Sequence, residues 1–339
     1  MKKNYSSFKK SSLKQSSVKK LSLKKVDREL RRLTTETINS ASANLDEKSA
    51  LDIVRIINHE DAKVAAAVKS ALPQIAKAVD MIASAIEQGG RLIYVGTGTS
   101  GRIAALDAVE CPPTFDVSSR TVQFIIAGGA KALSSAVESN EDSQASGRKE
   151  IAKRSPDKGD VVVAIAASGR TPFTIAALQY ARKRGAKTVA LVCNRRSPLG
   201  KAAHLEIVAE VGPEVVAGST RMKAGTAQKM ILNMLSTGAM ARLGYVYGNL
   251  MVNVHTRNAK LAERAGAIVE LVAGVDRKTA VKALLAAHKN LPLAIVMAKM
   301  GVSKEVAAAT LTKSGGRLRR SILPPEREII QAAKRKGRS

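Results

Sequence analysis

Residues 91–115 read RLIYVGTGTSGRIAALDAVECPPTF. The segment opens on apolar residues of strand type, Leu92 to Val95, turns through Gly96-Thr97-Gly98-Thr99-Ser100-Gly101, and continues as an alanine-rich helical run. A strand that feeds through a glycine-rich turn straight into a helix is half of a βαβ unit, and such a turn aims backbone amides and a helix N-terminus at any anion lying there. In form the turn is a Gly-x-Gly-x-x-Gly match. A dinucleotide site would also want an acid at the end of the second strand for the ribose, and that strand ends in Ala127-Gly128-Gly129, so nucleotide binding is disfavoured.

Outward from this unit the same rhythm recurs. Short apolar runs at residues 91–95, 121–127, 161–167, 188–193 and 205–210 alternate with helical stretches, which predicts an α/β fold: a five-stranded doubly wound parallel sheet of flavodoxin-like type flanked by helices, with its ligand at the carboxyl ends of the strands. Aromatic residues make up only 3% of the chain and Trp is absent, so the core is built from Ala, Val, Ile and Leu, as suits helices packed on a buried sheet. Before the sheet, Asp46 is expected to cap a helix over residues 48–58, and Glu60 and Asp61 to open a run reaching about residue 88. After it come a long helix over residues 224–243 and, beyond residue 258, shorter Ala-rich helices forming a small C-terminal subdomain. The predicted division is a basic extension at 1–33, disordered by composition, a main domain at 34–257, the helical subdomain at 258–323 and a basic tail at 324–339.

The third strand ends in a second hydroxyl-bearing loop, Ser168-Gly169-Arg170-Thr171-Pro172. Two such loops at the ends of neighbouring parallel strands converge on one small phosphate ester. The helix after the first loop reaches Glu110-Cys111-Pro112-Pro113, and the prolines are expected to end it there, placing Glu110 in the last turn, about 14 Å along the axis from Gly101. The negative end of the helix dipole disfavours a carboxylate's charge, a setting that suits proton transfer.

The bulk numbers narrow the classes. Two cysteines, Cys111 and Cys193, give neither a disulfide framework nor a zinc spacing, and His59, His204, His255 and His288 do not cluster with them, so no metal is expected. No apolar run approaches a bilayer span and the N-terminus lacks a secretory signal, which predicts a cytoplasmic protein without membrane insertion. The net charge of +28 sits largely at the ends: residues 1–33 carry twelve Lys and Arg against two acids, and residues 313–339 carry nine against two. Non-specific attraction to RNA or an anionic surface follows from such tails, but no aromatic or glycine-rich nucleic-acid motif accompanies them, so no specific nucleic-acid partner is expected.

Residues 91–115 resemble the hallmark of the N-acetylmuramic acid 6-phosphate etherases, which are phosphosugar-binding proteins of the SIS type. The resemblance recurs in Thr35-Glu36-Thr37-Ile38-Asn39, in residues 136–142, in residues 167–172, and in Gly218-Ser219-Thr220-Arg221-Met222-Lys223-Ala224-Gly225, and it covers about residues 33–323. It implies a lyase that removes the C3 lactyl ether of N-acetylmuramic acid 6-phosphate, giving N-acetylglucosamine 6-phosphate and D-lactate by elimination and water addition with no cofactor. The family's two catalytic glutamates map onto Glu110 and Glu141. Thr99, Ser100, Ser168 and Thr171 are then expected to take the phosphate and sugar hydroxyls, and Ser219, Thr220, Arg221 and Lys223 to supply further polar and cationic groups. The resemblance also implies a homodimer whose subunits complete each other's sites. Where the family pattern usually has Gly, Asp116 follows Phe115. The main rival reading is a non-catalytic sugar-phosphate sensor of the glucokinase-regulator type, against which the presence of both glutamates speaks. An aldose–ketose phosphate isomerase is a second rival, disfavoured because no histidine falls in the matched loops.

Overall fold

The computed structural model describes residues 33–137, 140–253 and 259–323. The expected disordered extension and basic tail therefore lie outside the described residues, apart from Leu33, which is buried.

Five strands, β1 (Leu92–Gly96), β2 (Val122–Ile126), β3 (Val161–Ala166), β4 (Lys187–Val192) and β5 (Leu205–Val208), form one sheet in the order β2-β1-β3-β4-β5. Every pairing is parallel, with Leu92 opposite both Val122 and Val161. Every residue of β1 and β3 is buried, which is why these strands read as unbroken Val/Ile-rich runs: helices cover both faces. The winding reverses between β1 and β3, and the carboxyl ends of those two strands open the crevice in which such folds bind ligands.

Helices α1 (Ala50–Asp61), α2 (Val64–Ser70) and α3 (Leu72–Glu87) precede the sheet, and α4 (Gly98–Phe115), α5 (Lys131–Ser134), α6 (Gln144–Ala152), α7 (Pro172–Lys183) and α8 (Pro198–Ala202) alternate with its strands. Helix α9 (Lys223–Leu243) ends at Gly244 in the left-handed conformation. One face of the sheet packs Leu92, Tyr94 and Val163 against Ile75 and Ile82 of α3, Ala104 of α4, and Ile231 and Leu235 of α9. The other face packs Ile93, Val162 and Ala164 against Ile151 of α6 and Phe173 and Leu178 of α7.

A two-residue hairpin, β6 (Val246–Tyr247) with β7 (Leu250–Met251), leads to α10 (Ala259–Ala273), α11 (Arg277–Ala286), α12 (Leu291–Met300), α13 (Lys304–Lys313) and α14 (Leu318–Ile322). These helices share their own buried cluster, centred on Val269, Ala294, Ile295 and Val296. An Arg317–Glu87 ion pair and the Arg319 guanidinium, 4.7 Å above the Tyr247 ring, tie α14 and its approach to the rest. No helix of the described residues is long and apolar enough to cross a membrane.

Three local expectations are corrected. Ser49, not Asp46, caps α1: its hydroxyl accepts from Asp52 N at 3.2 Å, while Asp46 lies in a short 3₁₀ turn. Glu60 and Asp61 close α1 rather than opening the next helix, because Glu60 is drawn inward to an ion pair. Pro112 and Pro113 do not stop α4, which runs to Phe115. The prolines remove two donors near the end of a long helix, and the buried Cys111 and Phe115 hold the final turn against the core. The stop comes at Asp116, left-handed at φ 54°, which accounts for the glycine usual at that place in the pattern.

Candidate active site

A cleft of about 360 Å³ opens at the carboxyl ends of β1 and β3, a size that suits a sugar phosphate. Its floor is the turn between β1 and α4. A β-carbon on Gly96 would stand 2.7 Å from Gly101 N, and one on Gly101 2.6 Å from a side-chain carbon of Ile126, so only glycine at both places lets the helix start this close to the sheet. Thr97, Gly98, Thr99 and Ser100 therefore line the cleft at the N-terminus of α4, where the helix dipole favours an anion. Ser168 and Thr171 line it from the loop after β3, and Ser168 Oγ accepts from Arg170 N at 3.2 Å, which shapes that loop. The four hydroxyls read from the sequence are thus brought together.

Glu141, half-buried, lies in the same cleft; a β-carbon on Gly98 would be 3.2 Å from its Oε1. Its carbonyl accepts from Phe173 N at 3.0 Å, fastening the Glu141 segment to the start of α7. Glu110 does not line the cleft. It is exposed on α4, about 18 Å along the axis from Gly98, because a helix that follows a parallel strand runs back towards the opposite edge of the sheet. Of the two glutamates that the resemblance names, the cleft of one chain therefore holds Glu141 and not Glu110. With Glu110 on this face stand two exposed apolar side chains, Leu106 and Val109.

Of the 219–223 block, Thr220 lines the cleft and Ser219, Arg221 and Lys223 do not. Arg221 is exposed, whereas Lys223 is buried and its Nζ donates to Glu60 Oε2 at 2.5 Å. Burial alone would raise the Glu60 carboxyl, but hydrogen bonds from Lys223, Lys63 and Asn39 and the Lys223 charge outweigh it and hold the group at about 2. The buried Glu214 carboxylate accepts from the backbone amides of Lys223 and Ala224 at 3.0 and 2.9 Å, covering amides that the first turn of α9 leaves unpaired. The Lys223 side chain thus anchors α9 to α1 instead of facing substrate.

Two cleft residues escaped the sequence reading. Glu36 enters because residues 33–39 are tied down from several sides: Asn194 Oδ1 accepts from Thr34 N at 3.0 Å, Asn194 Nδ2 donates to Thr35 Oγ1 at 3.2 Å and Ala167 O at 3.0 Å, and Gly218 N donates to Thr35 O at 3.2 Å. Arg102 enters from the second turn of α4, its Nη2 donating to Ser135 O at 2.9 Å. Both lie inside the matched blocks, so their place in the motif was the available signal.

In the core between the sheet and its helices, the buried Asp107 of α4 takes hydrogen bonds from Tyr94 of β1 at 2.9 Å and Ser236 of α9 at 3.0 Å. Burial raises this carboxyl, and those two hydroxyls partly offset the rise. Cys111 and Cys193 are free and buried, and burial first, then the Asp107 carboxyl beside Cys111 and Glu214 beside Cys193, pushes both thiols up to about 12.

The model of the SIS domain matches residues 144–238, and that of the N-terminal SIS domain of the glucokinase regulatory protein matches residues 74–182. The chain is 50% identical over 288 residues to an N-acetylmuramic acid 6-phosphate etherase of Aeromonas hydrophila, spanning 85% of this chain and 97% of that protein. To the protein of the same name from Clostridium beijerinckii it is 48% identical over 293 residues, 86% of this chain and 96% of that one. Among solved structures, a phosphoheptose isomerase from Francisella tularensis is 20% identical with a TM-score of 0.46, covering 57% of this chain and all of that one.

Proposed function

This chain belongs to the N-acetylmuramic acid 6-phosphate etherases, and from that membership we propose the following course of reaction in its cleft. The enzyme is a lyase that splits the C3 lactyl ether of N-acetylmuramic acid 6-phosphate into N-acetylglucosamine 6-phosphate and D-lactate. The phosphate sits at the N-terminus of α4 on backbone amides and the hydroxyls of Thr99, Ser100, Ser168 and Thr171, with Thr220 meeting the sugar. In the open-chain sugar the C1 aldehyde acidifies the C2 proton. Glu141 removes that proton, the C3–oxygen bond breaks with its electrons leaving on the lactyl oxygen, and Glu110 protonates that oxygen. Water then adds at C3 of the unsaturated aldehyde and a proton returns to C2. The observation that carries this reading is the Glu141 carboxylate standing against the first turn of α4, in the cleft lined by both hydroxyl loops.

Glu110 reaches substrate from a second subunit. The exposed outer face of α4, with Leu106, Val109 and Glu110, is apolar around a carboxylate and supports a homodimer in which each α4 presents its Glu110 to the partner's cleft. A phosphorylated sugar does not cross membranes unaided, which suits an enzyme of the cytoplasm. The sensor reading is supported by the regulatory-protein match at residues 74–182 alone, and the two etherases at 48–50% identity over nearly their whole length outweigh it.

The test is turnover in ¹⁸O-water with mass spectrometry of both products. The expected result is heavy oxygen at C3 of the amino sugar phosphate and none in lactate, and, in a parallel reaction run in deuterium oxide, one deuterium at C2. Heavy oxygen in lactate would mean cleavage on the other side of the ether oxygen and would refute the elimination.

A further inference from the structure

Among the described residues lining the cleft, Arg102 is the single basic side chain, and the elimination as drawn leaves it without a role. It lies one helical turn beyond Gly98 on α4, so the two positions project from the same side of the helix. That side is the one against which the Glu141 carboxylate lies, 3.2 Å from a β-carbon placed on Gly98. Arg102 is a half-buried residue whose guanidinium donates to Ser135 O at 2.9 Å, next in sequence to Ala136 and Val137 of the cleft wall, and this bond engages one of its five N–H donors.

The substrate brings two anions of different kind. The phosphate, on C6, has the hydroxyl loops and the N-terminus of α4. The other anion is the lactyl carboxylate on the C3 substituent, and without a cation it would enter a cleft that already holds the carboxylates of Glu36 and Glu141. Because C2 and C3 are bonded to each other, the group that holds the C3 substituent has to stand beside the group that handles the C2 proton. Arg102 stands on the Glu141 side of α4, and a planar guanidinium can grip a carboxylate with two parallel hydrogen bonds. We infer that Arg102 binds the lactyl carboxylate and so selects the ether substrate over the same sugar phosphate lacking it. This rests on the etherase reading and adds the residue that makes the site specific for it.

The carboxylate is charged in both substrate and transition state, so its loss of a partner falls on KM and not on kcat. The experiment compares the wild type with Arg102→Gln and Arg102→Lys, using N-acetylmuramic acid 6-phosphate, the product N-acetylglucosamine 6-phosphate as inhibitor, and a substrate analogue whose lactyl carboxyl is a primary amide. Arg102→Gln should raise KM for the substrate about 30-fold with kcat within about threefold, Arg102→Lys should recover part of this, and the product inhibition constant should move less than about twofold. The amide analogue should bind the wild type about 30-fold more weakly than the acid, and Arg102→Gln no more weakly than the wild type binds it. The analogue on the unaltered enzyme carries the test even if a variant misfolds. Equal weakening of substrate and product would make Arg102 a phosphate ligand and overturn the inference, as would a wild type indifferent to the amide. In either case lactate release by the wild type leaves the etherase reading standing; a wild type that releases none removes both.

Discussion

Lys223→Met separates a structural lysine from a substrate-binding one. The Lys223 side chain is 1% exposed and its Glu60 partner 3% exposed, and methionine fills the same space without the charge. The Glu60 carboxyl is held at about 2 against an ordinary 4.5, and at about 1.4 kcal/mol per pH unit this corresponds to roughly 3 kcal/mol of interaction. Because the folded-state value is depressed, that stability is fully present above the unfolded value near 4.5 and is lost as the pH falls towards 2. With Lys223 gone, Glu60 keeps Lys63, whose side chain is 52% exposed and screened by water. The variant should therefore lose about 3 kcal/mol at pH 7, within the range for breaking a buried pair, and the gap to the wild type should narrow in acid as Glu60 takes up a proton. Adding Glu60→Gln should restore most of the loss. The assay is urea unfolding followed by circular dichroism at pH 7 and pH 4, with KM measured alongside. An unchanged urea midpoint combined with a tenfold or larger rise in KM would refute the reasoning and return Lys223 to the substrate.

Three further outcomes follow from the same structure. Both cysteines should resist a thiol reagent in the native protein at pH 8, where burial holds their thiols protonated, and both should react in urea, as colorimetric titration will read. Asp107→Leu should cost about 1–3 kcal/mol in thermal unfolding by leaving the buried Tyr94 hydroxyl without its acceptor, and Tyr94→Phe in that background should return much of it. Gln228 is buried and its amide has no hydrogen-bond partner among the described residues, so Gln228→Met should raise stability by about 1–2 kcal/mol in the same assay.

The sheet was legible because its information is local. Val161 to Ala166 is apolar throughout since both faces of β3 are covered, and the strand bounds read from such runs differ from the observed ones by at most two residues. The hydroxyls of the cleft were legible for the same reason, as they sit on the turns that end those strands. Contacts between distant segments were not legible. Nothing within α9 shows that Lys223 turns to a carboxylate 163 positions away on α1, and a lysine amid Ser, Thr and Arg reads as a site cation. Nor does a Pro-Pro pair reveal that the buried Phe115 will carry α4 past it. Glu36 stands in the cleft through Asn194 and Gly218, partners that only the folded chain brings within reach.

The central claim, two glutamates acting on one substrate from two subunits, meets its most direct test in D-lactate release from N-acetylmuramic acid 6-phosphate by the wild type, Glu110→Gln, Glu141→Gln and an equimolar mixture of the two variants after subunit exchange. The account predicts rapid release by the wild type, a loss of about 100-fold or more in each variant, and recovery to about a quarter of wild-type activity in the mixture, because half the dimers are mixed and each of those holds one intact site. Full activity in either variant, or a mixture as inactive as its parts, would contradict it.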